Sequence, residues 1–311
     1  MQPIIAGDAD DRKSPMIRLP NDPPLPQGVL DLYDAYCHGA MSRRDFFAGL
    51  GKYTVGGMSV AMLAACVMPD YETNLQTRPD DPSLNIETLL YESPDGAGEM
   101  AGDLVRLKKG PAKRPGVIVV HENRGLNPYI KDVARRTALA GYIALAPDTL
   151  YPLGGYPGND DDGRALQAQR ERDDMLQDFM AAAETLRDHP DCNGKVACVG
   201  FCFGGSITNL MAVNQPWLSG AVPFYGGWPT EQDAATLEVP LQIHLAGLDT
   251  RVNAGWPAYE AALKANGADY EAFIYEGVNH GFHNDTTPRY DAAAAQLAWG
   301  RTLAFFAAKL D

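Results

Sequence analysis

Three residues of this chain could together carry out nucleophilic acyl transfer: Cys202, Asp249 and His280. Cys202 stands in Gly200-Phe201-Cys202-Phe203-Gly204-Gly205, after the apolar run Lys195-Val196-Ala197-Cys198-Val199, which reads as a buried strand. Ile207 to Met211 then opens a helical pattern. A tight strand-to-helix turn needs small residues two places before and two after the nucleophile, and Gly200 and Gly204 supply them. At a helix N-terminus the dipole favours a thiolate. Asp249 follows a second strand pattern, Pro240 to Ala246, in the loop Gly247-Leu248-Asp249, where a carboxylate can orient a base. After a helix pattern over Trp256 to Asn266 and a strand pattern over Tyr270 to Tyr275, Gly277-Val278-Asn279-His280-Gly281-Phe282 presents that base. Each residue also fits a plainer role. A buried cysteine serves as a small hydrophobe, an aspartate as an Asx-turn or helix cap, and a histidine as a polar loop residue. Placement of all three after strands, in the order nucleophile, acid, base, favours the joint reading.

Upstream, His121-Glu122-Asn123-Arg124-Gly125-Leu126-Asn127 follows the strand Val117 to Val120, and Gly141 to Asp148 forms the next strand pattern. With these segments, about residues 84 to 311 resemble the dienelactone hydrolase (carboxymethylenebutenolidase) family. The resemblance implies an α/β class chain with the α/β-hydrolase fold, a mostly parallel central sheet with helices on both faces, preceded by an N-terminal extension. It further implies that Cys202 is the nucleophile, His280 its proton partner, and Asp249 the residue that orients the histidine. Glu122 would pair with the resting thiol and move away when substrate arrives; a nearby carboxylate disfavours a thiolate. Backbone N–H groups of Asn123 and Phe203 would receive the oxyanion. The reaction implied is hydrolysis of a small-molecule ester or lactone through a thioester acyl-enzyme, with no metal and no organic cofactor.

The substrate pocket is less defined. The family grips a substrate carboxylate with arginines, one in the loop after the strand equivalent to Ala144-Leu145-Ala146 and one just after the catalytic histidine. Here the first loop reads Leu150 to Asn159, and His283 and Asn284 follow the histidine. Arg124, Arg251 and Arg289 are the candidates for that charge, each equally suited to a surface ion pair. Tyr151, Tyr225, Trp228 and Trp256 fall at strand ends, where they line a pocket or join the core. His283 lines the pocket or lies on the surface. With His280 and Asp285 it lacks a recognised metal-ligand spacing. Two other classes of function stay open: a thiol redox sensor built on Cys202, and a non-enzymatic binding scaffold.

The elements that must position these residues alternate along the chain. Ile86 to Tyr91 and Met100 to Leu107 flank a Pro94-Asp95-Gly96 turn and predict an antiparallel hairpin at the sheet edge. Helices are expected over Pro128 to Ala140, Ala165 to Arg187 and Arg289 to Leu310, the last with Leu297, Leu303, Phe306 and Leu310 apolar. Residues 150 to 163, rich in Gly, Pro and Asp, read as a loop.

At 311 residues, with 45% hydrophobic and 21% charged, the chain can bury one large core. The net charge of −14 disfavours nucleic acid as a partner. Five cysteines, Cys37, Cys66, Cys192, Cys198 and Cys202, show no disulfide framework. The expected partition is an extension over 1–80 and a hydrolase domain over 81–311. In the extension, residues 1–27 read as an arm. Ser42-Arg43-Arg44-Asp45-Phe46-Phe47 and the weakly apolar Ala48 to Met68 resemble a twin-arginine export signal, and Leu63-Ala64-Ala65-Cys66 a lipoprotein cleavage box. The alternative is a retained helix that docks on the domain or on a second copy of the chain, as a homo-oligomer. Periplasmic export and a cytoplasmic location both remain open.

Overall fold

The computed structural model describes residues 25–54 and 59–310. The expected arm over 1–27 lies almost wholly outside the described residues, as do residues 55–58 of the weakly apolar stretch. Contacts divide the chain into a unit ending at Leu63 and a unit beginning at Ala64. In the first, helices span Gln27–Cys37 and Arg43–Leu50. Ser42 caps the second helix by accepting the Asp45 N–H at 3.1 Å, and Phe46 stacks on Tyr36 with centroids 4.8 Å apart. The twin-arginine stretch is therefore the first turn of a capped helix. Among the described residues, no helix is long and apolar enough to cross a membrane.

The second unit carries eight strands: β1 (Leu84–Ser93), β2 (Gly98–Leu107), β3 (Arg114–Val120), β4 (Ile143–Pro147), β5 (Cys192–Phe201), β6 (Gly220–Phe224), β7 (Leu241–Ala246) and β8 (Tyr270–Tyr275). They form one sheet in the order β1-β2-β4-β3-β5-β6-β7-β8. The expected hairpin of β1 and β2 is antiparallel and stands at the edge, β2 is antiparallel to β4, and all other pairs are parallel. Parallel strands need crossovers, and these place helices on both faces. This explains why β3 reads as an unbroken apolar run. Ile118 and Val120 pack into one core with Phe179 and Ile207, while Val117 and Val119 pack into the other with Tyr129 and Phe306. Full burial of a side chain such as Phe179 or Phe306 contributes about 1.5–3 kcal/mol. The chain reverses direction across the sheet between β3 and β5, so their carboxyl ends diverge and leave a crevice.

Residues 64–80 are stitched to the sheet unit by long-range bonds. Tyr71 donates to Asp160 at 2.9 Å, Gln76 to Asp285 at 2.8 Å, and the Thr77 N–H to Asp132 at 2.8 Å. Two helix expectations and one loop expectation need correction. The single helix over Ala165 to Arg187 is two, Asp160–Gln167 and Arg172–Asp188. Arg170 turns inward at the break, where it donates to the Thr149 carbonyl at 2.5 Å and pairs with the buried Asp178 at 2.8 Å. The first of these helices also takes residues from the expected 150–163 loop, because Asn159 caps it and Asp160, Asp161 and Asp162 suit its N-terminal dipole. The closing helix is Ala292–Leu310 and buries Ala295, Ala298, Phe305 and Phe306, whereas Leu297 is exposed.

Candidate active site

The turn after β5 has the geometry that its glycines suggest. Cys202 adopts φ 58° and ψ −114° between β5 and a helix over Phe203–Asn214. For a residue with a side chain this is a sparsely populated region that costs about 1–3 kcal/mol and must be held by its surroundings. The Cys202 N–H donates to the Phe224 carbonyl at 3.1 Å, and its carbonyl accepts from the Ser206 N–H at 3.2 Å. A Cβ on residue 200 would lie 2.2 Å from the Gly204 oxygen, and one on residue 204 would lie 2.4 Å from the Val120 oxygen and 2.5 Å from that of His121. Only glycine lets the helix start approach the chain leaving β3 so closely. The same approach sets Phe203 beside the Glu122-Asn123 loop.

Asp249 and His280 meet across the ends of β7 and β8. His280 Nδ1 lies 2.5 Å from Asp249 Oδ2, with both side chains buried. Asp249 Oδ1 accepts the Val252 N–H at 3.1 Å, so the residue also caps the short helix Thr250–Asn253. The triad and cap readings of this aspartate are compatible, one oxygen serving each. Burial pushes the Asp249 carboxyl up, but the bond and charge of His280 and the Val252 N–H outweigh it and hold the group below its ordinary value. A ring nitrogen of His280 lies within 4.8 Å of Cys202 Sγ. The ring packs on Tyr225, centroids 4.9 Å apart, and Arg251 Nη2 lies 3.3 Å from Nδ1.

Glu122, just past β3, is 3% exposed. Burial pushes its carboxyl up; Arg124 and Arg289 pull it down, the Cys202 and Asp160 charges push it up, and the net shift is upward. Asn284 Nδ2 donates to Glu122 Oε2 at 3.0 Å. Beside it, His121 spans the ends of β3 and β4. Its Nδ1 is 2.6 Å from the Glu122 carbonyl oxygen and its Nε2 is 2.9 Å from Thr149 Oγ1. Burial lowers its pKa, which suits a neutral structural clamp.

The remaining pocket candidates separate. Tyr225 has φ 36° and packs on the triad histidine, and its buried hydroxyl makes no hydrogen bond among the described residues. Arg124 pairs at 2.5 Å with Asp160 of the 150–163 segment, to which Tyr156 of the same segment donates at 2.9 Å. Tyr151 directs its hydroxyl to Glu99 at 3.3 Å. Trp256 packs on Trp228 at 5.3 Å in the core on the Phe179 face of the sheet. His283 is not on the surface: it is 1% exposed, bonds the Tyr129 hydroxyl at 2.8 Å, stacks on Phe201 at 5.1 Å and lines a cavity with Arg136, Asp285 and Trp299. Burial drives its pKa well below the ordinary value, and Asp285 is tied to Arg136 and Gln76. Arg289 is buried and fills the space over Gly281 where a side chain on that residue would stand. Asn284 was legible only as a departure from arginine; its contact with Glu122 joins residues 162 positions apart, for which the local sequence gives no signal.

A strand-to-helix elbow at the crevice of a mostly parallel sheet, faced by an Asp–His pair from later loops, defines an α/β-hydrolase. The sequence profile of the dienelactone hydrolase family matches residues 102–310, and the chain belongs to that family. A second profile, described as YqhI-like, matches residues 21–54. Among curated relatives, an Escherichia coli O157:H7 protein provisionally named carboxymethylenebutenolidase is 32% identical over 258 residues, covering 78% of this chain and 93% of that one. Protein usf of Aquifex pyrophilus is 37% identical over 204 residues, covering 62% and 87%. Among solved structures, a protein of Klebsiella pneumoniae provisionally titled a dienelactone hydrolase is 27% identical with a TM-score of 0.63, covering 72% of this chain and 99% of that one. The protein is thus a hydrolase acting on ester or lactone bonds.

Proposed function

We propose that the protein cleaves a small-molecule ester or lactone through a thioester formed on Cys202. The observation that carries this reading is the alignment of Asp249 Oδ2, His280 Nδ1 and Cys202 Sγ at a strained elbow. His280 takes the thiol proton, and sulfur attacks the carbonyl carbon to form a C–S bond and an oxyanion. The Phe203 N–H, in the first turn of its helix, and the Asn123 N–H, in the loop pressed against that turn, receive the charge. The C–O bond then breaks, and the leaving oxygen takes the proton from His280. A water molecule gives a proton to His280 and adds to the thioester; the C–S bond breaks, which frees the acid and restores the thiol.

Asp249 holds the imidazole with Nδ1 toward its carboxylate, leaving Nε2 for these transfers. Glu122 is the resting partner of the thiol. Arg251 lies beside His280 and Arg289 over Gly281, whereas Arg124 is paired with Asp160, and we assign the first two, ahead of Arg124, to an acidic group on the substrate.

Turnover of a panel of aryl esters and acid-bearing lactones tests the reading. Cys202→Ala and His280→Ala should each lose nearly all activity. Full activity in His280→Ala would overturn the triad, and absence of turnover by the unmodified protein across the panel would favour a redox-sensing or binding role.

A further inference from the structure

We propose that Asn284, locked in one orientation by Thr286, is a positioning residue that holds Glu122 ionised beside Cys202 and so limits how much thiolate the resting enzyme carries. This rests on the reading of Glu122 as the resting partner of the thiol.

The lock is visible in the hydrogen bonds. Asn284 is fully buried, and its Oδ1 accepts from the Thr286 N–H at 3.1 Å and from Thr286 Oγ1 at 2.6 Å. Both of its acceptor directions face donors, so a flipped amide would set Nδ2 against two donors and strand them. The Asn284 N–H also donates to the Gly281 carbonyl at 3.0 Å, which fixes the backbone one residue past His280. With the amide plane fixed, Nδ2 stays on the Glu122 side and donates to Oε2 at 3.0 Å. A donor that cannot turn away stabilises the carboxylate over the acid, against the opposing effect of burial.

The charged and titratable groups that face Glu122 are Arg124 in its own loop, Arg289 over Gly281, Asp160 behind Arg124, Cys202, and the hydroxyls of Tyr71, Tyr129 and Tyr225. Cys202 also faces Tyr225 and His280, and Arg251 lies against His280. The two arginines that help to keep Glu122 ionised are shared with other groups, Arg124 with Asp160 and Arg289 with the backbone at Gly281, over which it lies. Asn284 is the short, fixed donor in the group, and it sits on the segment that carries the triad histidine. It therefore couples the placement of His280 to that of the carboxylate which opposes thiolate formation.

The pH profile of iodoacetamide alkylation, read by mass spectrometry at the Cys202 peptide, tests this. In Asn284→Leu, which keeps size and removes the donor, Glu122 takes a proton or turns away. The alkylation midpoint should then fall by about one pH unit, a tenfold faster reaction below the midpoint. Thr286→Val, which removes the hydroxyl but keeps the backbone N–H and so loosens the lock without altering shape, should shift the midpoint in the same direction by less. Glu122→Gln should lower it on its own, and Asn284→Leu added to Glu122→Gln should give no further shift. A midpoint unmoved in both Asn284→Leu and Thr286→Val, while Glu122→Gln lowers it, overturns the role of Asn284 and leaves that of Glu122 standing. Equal shifts from Asn284→Leu with and without Glu122 would show an effect through the fold and also overturn it. No shift in Glu122→Gln would overturn the reading of Glu122 and this inference with it.

Discussion

Asp249 divides its carboxylate between two neighbours: Oδ2 lies 2.5 Å from His280 Nδ1, and Oδ1 takes the Val252 N–H at 3.1 Å. In the proposed triad, the residue that would orient the base is itself oriented by the first turn of a helix. One bond serves chemistry and the other serves geometry, so substitutions can separate them.

Asp249→Asn keeps an acceptor for Val252 but presents the wrong group to the histidine. Its kcat should fall by about 10²–10⁴-fold, and its stability should drop only by what the ionised carboxylate contributes, with the cap retained. Asp249→Ala should lose similar activity and also about 0.5–2 kcal/mol of stability with the cap. Denaturant titration beside initial rates checks both, and equal stabilities of the two variants would contradict the shared role. The pH sign follows from the depressed carboxyl. Stability from Asp249 is present above its unfolded value of 3.8 and is lost as pH falls through the lower folded value. The stability gap between the unmodified protein and Asp249→Asn should close only under strongly acidic conditions.

Glu122 has the opposite sign. Its carboxyl is raised in the folded protein, so between its unfolded value of 4.5 and the higher folded value the native state holds the extra proton. Its contribution to stability therefore falls as pH rises through that window. Glu122→Gln should melt above the unmodified protein at pH 7, and the two should converge near pH 4. A lower Tm for the variant at pH 7 would show that the surrounding cations outweigh burial.

Asp160, in the 150–163 segment, holds Arg124 and accepts from Tyr71 and Tyr156. Asp160→Ala removes the carboxylate paired with a nearly buried guanidinium and should cost about 3–5 kcal/mol in chemical denaturation. Removing Arg124 as well should recover part of that loss. A cost below about 1 kcal/mol for Asp160→Ala would mean that the pair is solvated.

Fold and site were legible in the sequence to different depths. Cys202, Asp249 and His280 stand out because each is a reactive type within a few residues of a strand end, a local pattern that the sheet then assembles. The strands read well for the same reason: in β3 and β5, burial on both faces leaves unbroken apolar runs. Trp256 and His283 show the limit. A strand end supplies aromatic side chains to pocket and core alike, and Trp228 claims the first while Tyr129 and Phe201 claim the second. The break between the helices at Gln167 and Arg172 depends on Arg170 finding Thr149 and Asp178, partners that periodicity does not contain. Asn284 is the same case at longer range.

On the proposed route the acyl group passes through Cys202. Purified protein mixed with an activated ester, quenched in acid within milliseconds to seconds and digested, should give a Cys202 peptide heavier by the acyl mass. Cys202→Ala should yield neither that adduct nor turnover. Steady turnover with no adduct on Cys202 at any quench time, retained in Cys202→Ala, would contradict the account.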